Sequence, residues 1–280
     1  MSVGMVLEGG GMRGLYTAGV LDTLMNEKIK VNGMVTVSAG ALFGINYASG
    51  QQGRALRYNK TYLKDKRYMG MRHLLRTGDI INKEFAYYTV PYALDVFDEQ
   101  SFKKSNIDFY ATVTNMETGK AEYKQITDPF SQMETLRASG SMPFVSKPVD
   151  LEGTPYLDGG VADSIPYEKA SDLGYDKKIV ILTRPLDYRK SKPNPFLIDQ
   201  WYKKYPQFKE TLKQRYRNYN NTVEQITKDE QTKEAFVIRP SVAIPIKRLE
   251  RDPDKLQMMY DLGVKDTAAR LDELKHYIYA

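Results

Sequence analysis

The chain places a serine among small residues, Val37-Ser38-Ala39-Gly40-Ala41, soon after a glycine-rich loop, Glu8-Gly9-Gly10-Gly11-Met12-Arg13-Gly14. Together these are the parts of an acyl-transfer site: a hydroxyl that attacks a carbonyl carbon, and backbone N–H groups that hold the resulting oxyanion. Glycines at a helix N-terminus leave their N–H groups pointing outward, where the helix dipole adds partial positive charge. Ser38 follows Val35-Thr36-Val37, and the small residues after it suit a sharp strand-to-helix elbow. Thr36 occupies the first glycine position of the usual G-x-S-x-G spacing. It is small enough to end a strand, but its packing beneath the elbow must differ. A serine here can equally serve as a helix cap.

The same loop satisfies G-x-G-x-x-G through Gly9, Gly11 and Gly14, the fingerprint of a dinucleotide site. That fingerprint also requires an acidic residue about 20 positions further on, at the end of the second strand. No carboxylate lies between Lys28 and Gly40, so a nicotinamide or flavin cofactor is not expected. Close helix-to-strand packing is a further use for these glycines. Arg13 is placed to hold the loop in shape or to meet a lipid phosphate.

A nucleophilic serine requires a base, and the chain has two histidines, His73 and His276. His73 sits in a basic helical stretch and His276 near the C-terminus on a polar helix, so neither suits the role. A Ser38, Asp158, His276 order can be drawn by analogy with α/β-hydrolases, but those place the nucleophile after several strands. Among the carboxylates, Asp158 in Tyr156-Leu157-Asp158-Gly159-Gly160 stands out, at a strand end before two glycines that permit an unusual turn. A plain turn-forming aspartate is the alternative. Asp163 and Asp172 have ordinary loop or helix settings.

These residues need positions in a fold. Val3 to Leu7, Leu15 to Glu27, Gly33 to Val37 and Ala39 to Ser49 read as strand, helix, strand, helix, which predicts an α/β sheet with parallel pairing. Each motif then lies at the carboxyl end of a strand, where such sheets bind ligands. Further along, Phe109 to Asn115 and Ala121 to Gln125 read as a hairpin, and Met133 to Ser139 as a helix. Pro148 to Asp158 reads as a loop and short strand, Lys178 to Leu182 and Phe236 to Arg239 as strands, and Asp254 to Ile278 as one closing helix. Apolar residues from Ile198 to Ile226 at spacings of three and four form a single helical stripe, which Pro206 kinks or splits. That stripe serves either as packed core or as a lid or membrane-facing patch, with Trp201, Tyr202 and Tyr205 among Lys203, Lys204 and Lys209.

Taken together, the Gly9 to Gly14 loop, Val37 to Ala41 and Asp158-Gly159-Gly160 resemble the patatin-like phospholipase family, in order and spacing. Arg76-Thr77-Gly78-Asp79, Thr114 to Gly119 and Ala138 to Phe144 add likeness to a bacterial branch of serine lipid acyl hydrolases. The resemblance spans about Val3 to Pro185. It implies a three-layer α/β/α fold with a mostly parallel central sheet and a nucleophile elbow after the second strand. It also implies a Ser-Asp dyad without histidine: Ser38 as nucleophile, Asp158 as base, and the N–H groups of Gly10, Gly11 and Met12 as the oxyanion hole. Gly9, Arg13, Gly14, Gly40, Gly159 and Gly160 support these motifs. The division expected is a catalytic domain over residues 1–185 and a C-terminal helical segment with one late strand over 186–280, packed on the same domain. The function expected is cleavage of acyl esters of phospholipid or lysophospholipid; the alternative is a catalytically weak or inactive lipid-binding module at a membrane surface.

Composition narrows the setting. With 280 residues and no cysteine, the chain can bury a full core without disulfides or thiolate metal sites. No metal-ligand cluster or cofactor is expected. The start of the chain has no signal-like pattern, and no run reaches the ~18 apolar residues of a membrane span. The expectation is therefore a cytoplasmic protein, with peripheral contact to anionic membrane favoured by a net charge of +6 and a pI near 9.1. No nucleic-acid-binding motif accompanies that charge, so nucleic acid is not an expected partner. Head-group preference and oligomeric state have no signature in the sequence.

Overall fold

The computed structural model describes residues 1–279. Its chain opens with β1 (Val3–Leu7), α1 (Leu15–Asn26), β2 (Gly33–Val37) and α2 (Ala39–Ala48), as the alternating pattern predicts. Next come α3 (Arg54–Tyr62), α4 (Met71–Thr77), a π-helical segment Glu84–Leu94 and α5 (Glu99–Lys104). A hairpin of β3 (Asp108–Asn115) and β4 (Ala121–Ile126) leads into α6 (Met133–Gly140). The chain then runs through β5 (Val149–Leu151), β6 (Thr154–Asp158), α7 (Tyr167–Asp172) and β7 (Lys177–Ile181). It ends with α8 (Pro195–Trp201), α9 (Pro206–Gln231), β8 (Phe236–Ile238), α10 (Pro253–Ala269) and α11 (Leu271–Tyr279).

The strands form one mixed sheet in the order β5-β6-β3-β2-β1-β7-β8, with β4 paired to β3. β3, β2, β1, β7 and β8 are parallel neighbours, while β4 and β6 run antiparallel to β3, and β5 antiparallel to β6. Alternation along the central strands explains the layers. Met5, Leu7, Met34, Ile179 and Ile181 point to one face, packed with the apolar sides of α1, α2 and α10. Val6, Val35, Val180 and Val237 point to the other, packed with Tyr167 and Ala170 of α7 and with Tyr219, Val223 and Ile226 of α9. Because both faces are covered, β1 and β2 are buried throughout and, Thr36 aside, carry no polar side chain.

Three elements differ from the sequence reading or refine it. Pro148 to Asp158 is a two-strand hairpin, β5 and β6, because Glu152 and Gly153 both take positive φ (55° and 84°) and close a tight turn. The closing helix is two helices, α10 and α11, which break at Arg270; its guanidinium turns away to bond the Val237 carbonyl and Glu273. The Ile198 to Ile226 stripe is split at Pro206, which starts α9 at a position where its missing N–H costs nothing. Its inward residues Ile198, Tyr202, Phe208 and Leu212 form a small core with Met116 and Leu157, so most of the stripe is packed.

Candidate active site

Ser38 is the single residue between β2 and α2, with φ 56° and ψ −124°. A non-glycine residue held there costs about 1–3 kcal/mol, a strain the surrounding structure must sustain. Two contacts sustain it. Ser38 N–H donates to Ser139 Oγ on α6 at 2.9 Å, and beneath the elbow Thr36 Oγ1 donates to the Tyr110 carbonyl of β3 at 2.7 Å. Thr36 therefore fills the position of the missing glycine with its own hydrogen bond satisfied.

Sheet register brings the second carboxyl-end motif to Ser38. Val37 pairs with Thr112, so extending β2 by one residue puts Ser38 level with Val113, which pairs with Asp158 across the antiparallel β3–β6 contact. The two side chains meet: Ser38 Oγ donates to Asp158 Oδ2 at 2.7 Å. The other carboxylate oxygen, Oδ1, accepts the Gly160 N–H at 2.7 Å. The Asp158 backbone is fixed as well, its N–H donating to the Ser141 carbonyl (2.8 Å) and its carbonyl accepting from Thr114 Oγ1 (2.9 Å). Gly159 is required by close approach, since a Cβ there would lie 2.1 Å from the Thr112 carbonyl oxygen.

Asp158 is buried, and burial raises its proton affinity above the ordinary carboxylate value. Arg215, the Ser38 hydrogen bond, the Gly160 N–H and Arg248 act in the opposite direction without cancelling it. A carboxylate raised in this way and hydrogen-bonded to a serine hydroxyl is suited to take that hydroxyl's proton.

The glycine loop follows β1, which lies between β2 and β7, and its Gly11–Gly14 turn leads into α1. Among the described residues the N–H groups of Gly10 and Gly11 have no hydrogen-bond partner, whereas Met12 N–H donates to the Arg248 carbonyl at 3.0 Å. Of the three expected donors, Met12 N–H is occupied in this conformation, and those of Gly10 and Gly11 are open. Gly9 N–H faces the Ser164 carbonyl at 3.3 Å, and Gly14 and Gly40 pack against neighbouring backbone and side chains. Arg13 is buried rather than exposed on the loop. Neither histidine joins the site: His73 Nε2 lies 2.8 Å from the Lys66 carbonyl on an exposed surface, and His276 is on α11.

An apolar cavity begins at Ser38 and runs between α2, α6 and the π-helical segment, lined by Leu42, Tyr87, Val90, Phe97, Met133 and Leu136. Pro91 inside that segment cannot donate an N–H, which fits an irregular helix at a cavity wall. Single-residue reading of the sequence missed the supporting set of Thr114, Ser139 and Ser141. The Ala138 to Phe144 and Thr114 to Gly119 motifs marked their segments, but periodicity carries no signal for a buried hydroxyl two elements away.

The model of the family described as patatin-like phospholipase matches residues 5–171, and that of a domain of unknown function matches residues 205–279. An uncharacterised protein of Escherichia coli K12, YjjU, is 28% identical over 212 residues, covering 72% of this chain and 56% of its own length. Lysophospholipase nte1 of Aspergillus niger is 28% identical over 186 residues, which is 62% of this chain and 11% of that protein. The chain thus spans about half of one relative and a small part of the other. Among solved structures, VipD from Legionella pneumophila matches at a TM-score of 0.49 and 14% identity, over 97% of this chain and 67% of that one. With more than half its length matched by the family model, the chain belongs to the patatin-like phospholipase family.

Proposed function

We propose that the protein is a serine hydrolase that cleaves acyl esters of phospholipids or lysophospholipids through Ser38 and Asp158. The observation that carries this reading is the 2.7 Å hydrogen bond from Ser38 Oγ to a buried Asp158 carboxylate, beside the open N–H groups of Gly10 and Gly11. Asp158 takes the hydroxyl proton as Ser38 Oγ attacks the ester carbonyl. The oxyanion is held by the Gly10 and Gly11 N–H groups, and losing one such donor costs on the order of 3 kcal/mol of barrier. Collapse breaks the bond to the alcohol, which leaves with the proton from Asp158. Water then attacks the acyl-Ser38 ester with Asp158 again as base, returning the serine and a fatty acid. Residues 1–185 and 186–280 are read as one catalytic unit, supported by the packing of Tyr219, Val223 and Ile226 on the strands that carry the site.

The name of the Aspergillus relative supports a lysophospholipid substrate, and the apolar cavity beginning at Ser38 supports an acyl chain. Peripheral membrane contact is supported by the exposed Phe196, Leu197 and Trp201 on α8, next to exposed Lys203 and Lys204. Among the described residues no helix is long and apolar enough to cross a membrane.

The test is fluorophosphonate labelling and hydrolysis of a panel of lipid esters by the wild type, Ser38→Ala and Asp158→Asn. The expected result is labelling confined to Ser38 and loss of hydrolysis in both variants. Labelling of folded Ser38→Ala at the same rate sinks the proposal. Liposome binding by a wild type that is never labelled selects the non-catalytic lipid-binding module instead.

A further inference from the structure

Ser38 stands where two cavities of opposite chemistry meet. The apolar one runs into the helical layer. The second is narrower and is walled by five cations, Arg13, Arg184, Lys190, Arg215 and Arg248. Gly11, Ser38, Met142 and Arg248 belong to both walls.

Five cations around one small space repel one another; Arg13 is buried and Arg184, Lys190 and Arg215 half-buried, which strips these four of water, while Arg248 stands exposed at the rim. No carboxylate forms a close ion pair with them: among the described residues none of the five has one within 4.0 Å, and Glu8 and Asp158, which line the same pocket, attract Arg13, Lys190 and Arg215 only from further off. Arg13 is 7% exposed, and its Nε is buried with no hydrogen-bond partner. Lys190 Nζ meets only neutral groups, Ser164 Oγ at 2.8 Å and the face of Tyr219 at 3.7 Å. Arg215 Nε reaches the same Ser164 Oγ at 3.3 Å, and Arg184 lies over the Tyr188 ring at 4.2 Å. Glu8, in the same wall, is engaged by the Thr183 N–H rather than by a cation. Burial together with neighbouring guanidiniums pulls Arg13 and Arg215 down to about 10, and Lys190 well below its ordinary value.

A set of unpaired cations beside a nucleophile is completed by an anion that the ligand brings. Guanidinium forks and an ammonium arranged around one space suit a group with several acceptor oxygens, which favours phosphate over a carboxylate. We propose that this cationic pocket is the subsite for a phosphate on the alcohol side of the ester, so that Arg13, Arg184, Lys190 and Arg215 set a preference for phosphate-bearing over neutral acyl esters. This rests on the serine-hydrolase reading above. The acyl chain occupies the apolar cavity, the scissile carbonyl sits at Ser38, and the phosphate is held by Arg13, Arg184, Lys190 and Arg215. Beyond Tyr188, Lys190 and Arg215 the pocket continues into an outer recess beside α8 and α9, so a substituent on the phosphate has a path to solvent.

The experiment compares two monomeric, short-chain esters with the same acyl group, a 1-acyl-glycerol 3-phosphate and the corresponding 1-acyl-glycerol, so that no membrane charge intervenes. In parallel, glycerol 3-phosphate and inorganic phosphate are titrated calorimetrically into the wild type, Arg184→Gln, Lys190→Gln and Lys104→Gln, a surface charge loss on α5. The expected result is a kcat/KM at least about tenfold higher for the phosphate-bearing ester. That ratio falls in Arg184→Gln and in Lys190→Gln but not in Lys104→Gln, and glycerol 3-phosphate binding weakens in the same two variants. Equal kcat/KM for the two esters in the wild type overturns the proposal. Binding of inorganic phosphate that at least matches that of glycerol 3-phosphate, without ester selectivity, assigns the pocket to free phosphate and also overturns it. If no ester is cleaved and Ser38 is not labelled, the hydrolase reading fails by itself. The titrations then decide the pocket: glycerol 3-phosphate binding lost in both variants supports a phosphate site, and no binding overturns it.

Discussion

The Arg248 carbonyl accepts the Met12 N–H at 3.0 Å and also lies against Gly11, where a Cβ would come within 2.5 Å of that oxygen. The segment before α10 therefore clamps the glycine loop from outside, and Gly11 holds φ 57° beneath it. Gly11→Ala is expected to be folded but inactive, because both the positive φ and the clash displace the Gly10 and Gly11 N–H groups. A fall in kcat of about a hundredfold or more is expected, measured on a soluble ester with the thermal midpoint followed alongside. Activity near that of the wild type would place the oxyanion elsewhere.

Asp158 trades stability for proton affinity. Its pKa is raised in the folded state by burial, so the folded protein binds the proton more tightly than the unfolded chain does. For this group alone, stability is undiminished below the unfolded value and decreases as pH rises through the folded one. Asp158→Asn is then expected to unfold at an equal or higher temperature than the wild type at pH 8, with no such gain near pH 3. Hydrolysis is expected to fall by about a thousandfold or more. The acid limb of wild-type kcat/KM should lie above the ordinary aspartate range, since a protonated Asp158 cannot accept the Ser38 proton. An Asn variant that is both inactive and strongly destabilised at pH 8 contradicts this account.

Ser139 is fully buried and accepts the Ser38 N–H, so that N–H is not free to serve an oxyanion. Ser139→Ala leaves a buried donor without an acceptor, at a cost of about 1–3 kcal/mol. The expected outcome is a lower unfolding midpoint and a reduced kcat with KM little changed, because the elbow relaxes while the acyl cavity is untouched. Ser139→Thr, which keeps the hydroxyl, should recover part of the kcat. An unchanged kcat in Ser139→Ala would show that the strained elbow needs no such support.

The site was legible in the sequence where it depended on local chain geometry. Glycines before a helix, small residues after Ser38 and glycines after Asp158 are each local demands, and they were visible as such. Sheet register is not local: nothing near Asp158 encodes that β6 runs antiparallel to β3 with Val113 opposite, the pairing that brings the two side chains within 2.7 Å. The cationic pocket was invisible for the same reason. Arg13, Arg184, Lys190, Arg215 and Arg248 come from four separate segments, and in a chain with a net charge of +6 none is conspicuous. Helix breaks showed only where proline marks them. Pro206 announced the start of α9, whereas the break at Arg270 follows from hydrogen bonds to the Val237 carbonyl and Glu273 that spacing cannot reveal.

The stripe that begins at Ile198 divides its residues between two tasks. Tyr202 is buried and its hydroxyl accepts the Phe144 N–H at 2.8 Å, while Trp201 beside it is 64% exposed. Phe196 and Leu197 share that exposure, and Lys203 and Lys204 follow them. Lys209, in contrast, is tied with Lys213 to Asp199. If α8 contacts membrane, Phe196→Ser with Trp201→Ser should weaken partitioning onto anionic liposomes by about tenfold or more, from the loss of buried apolar area. Lys203→Glu with Lys204→Glu should weaken it in a salt-dependent way, and Lys209→Glu should have the smaller effect because its charge is already paired. Liposome sedimentation at two salt concentrations measures all three. Partitioning that is insensitive to Phe196 and Trp201 would remove α8 from the membrane-binding surface.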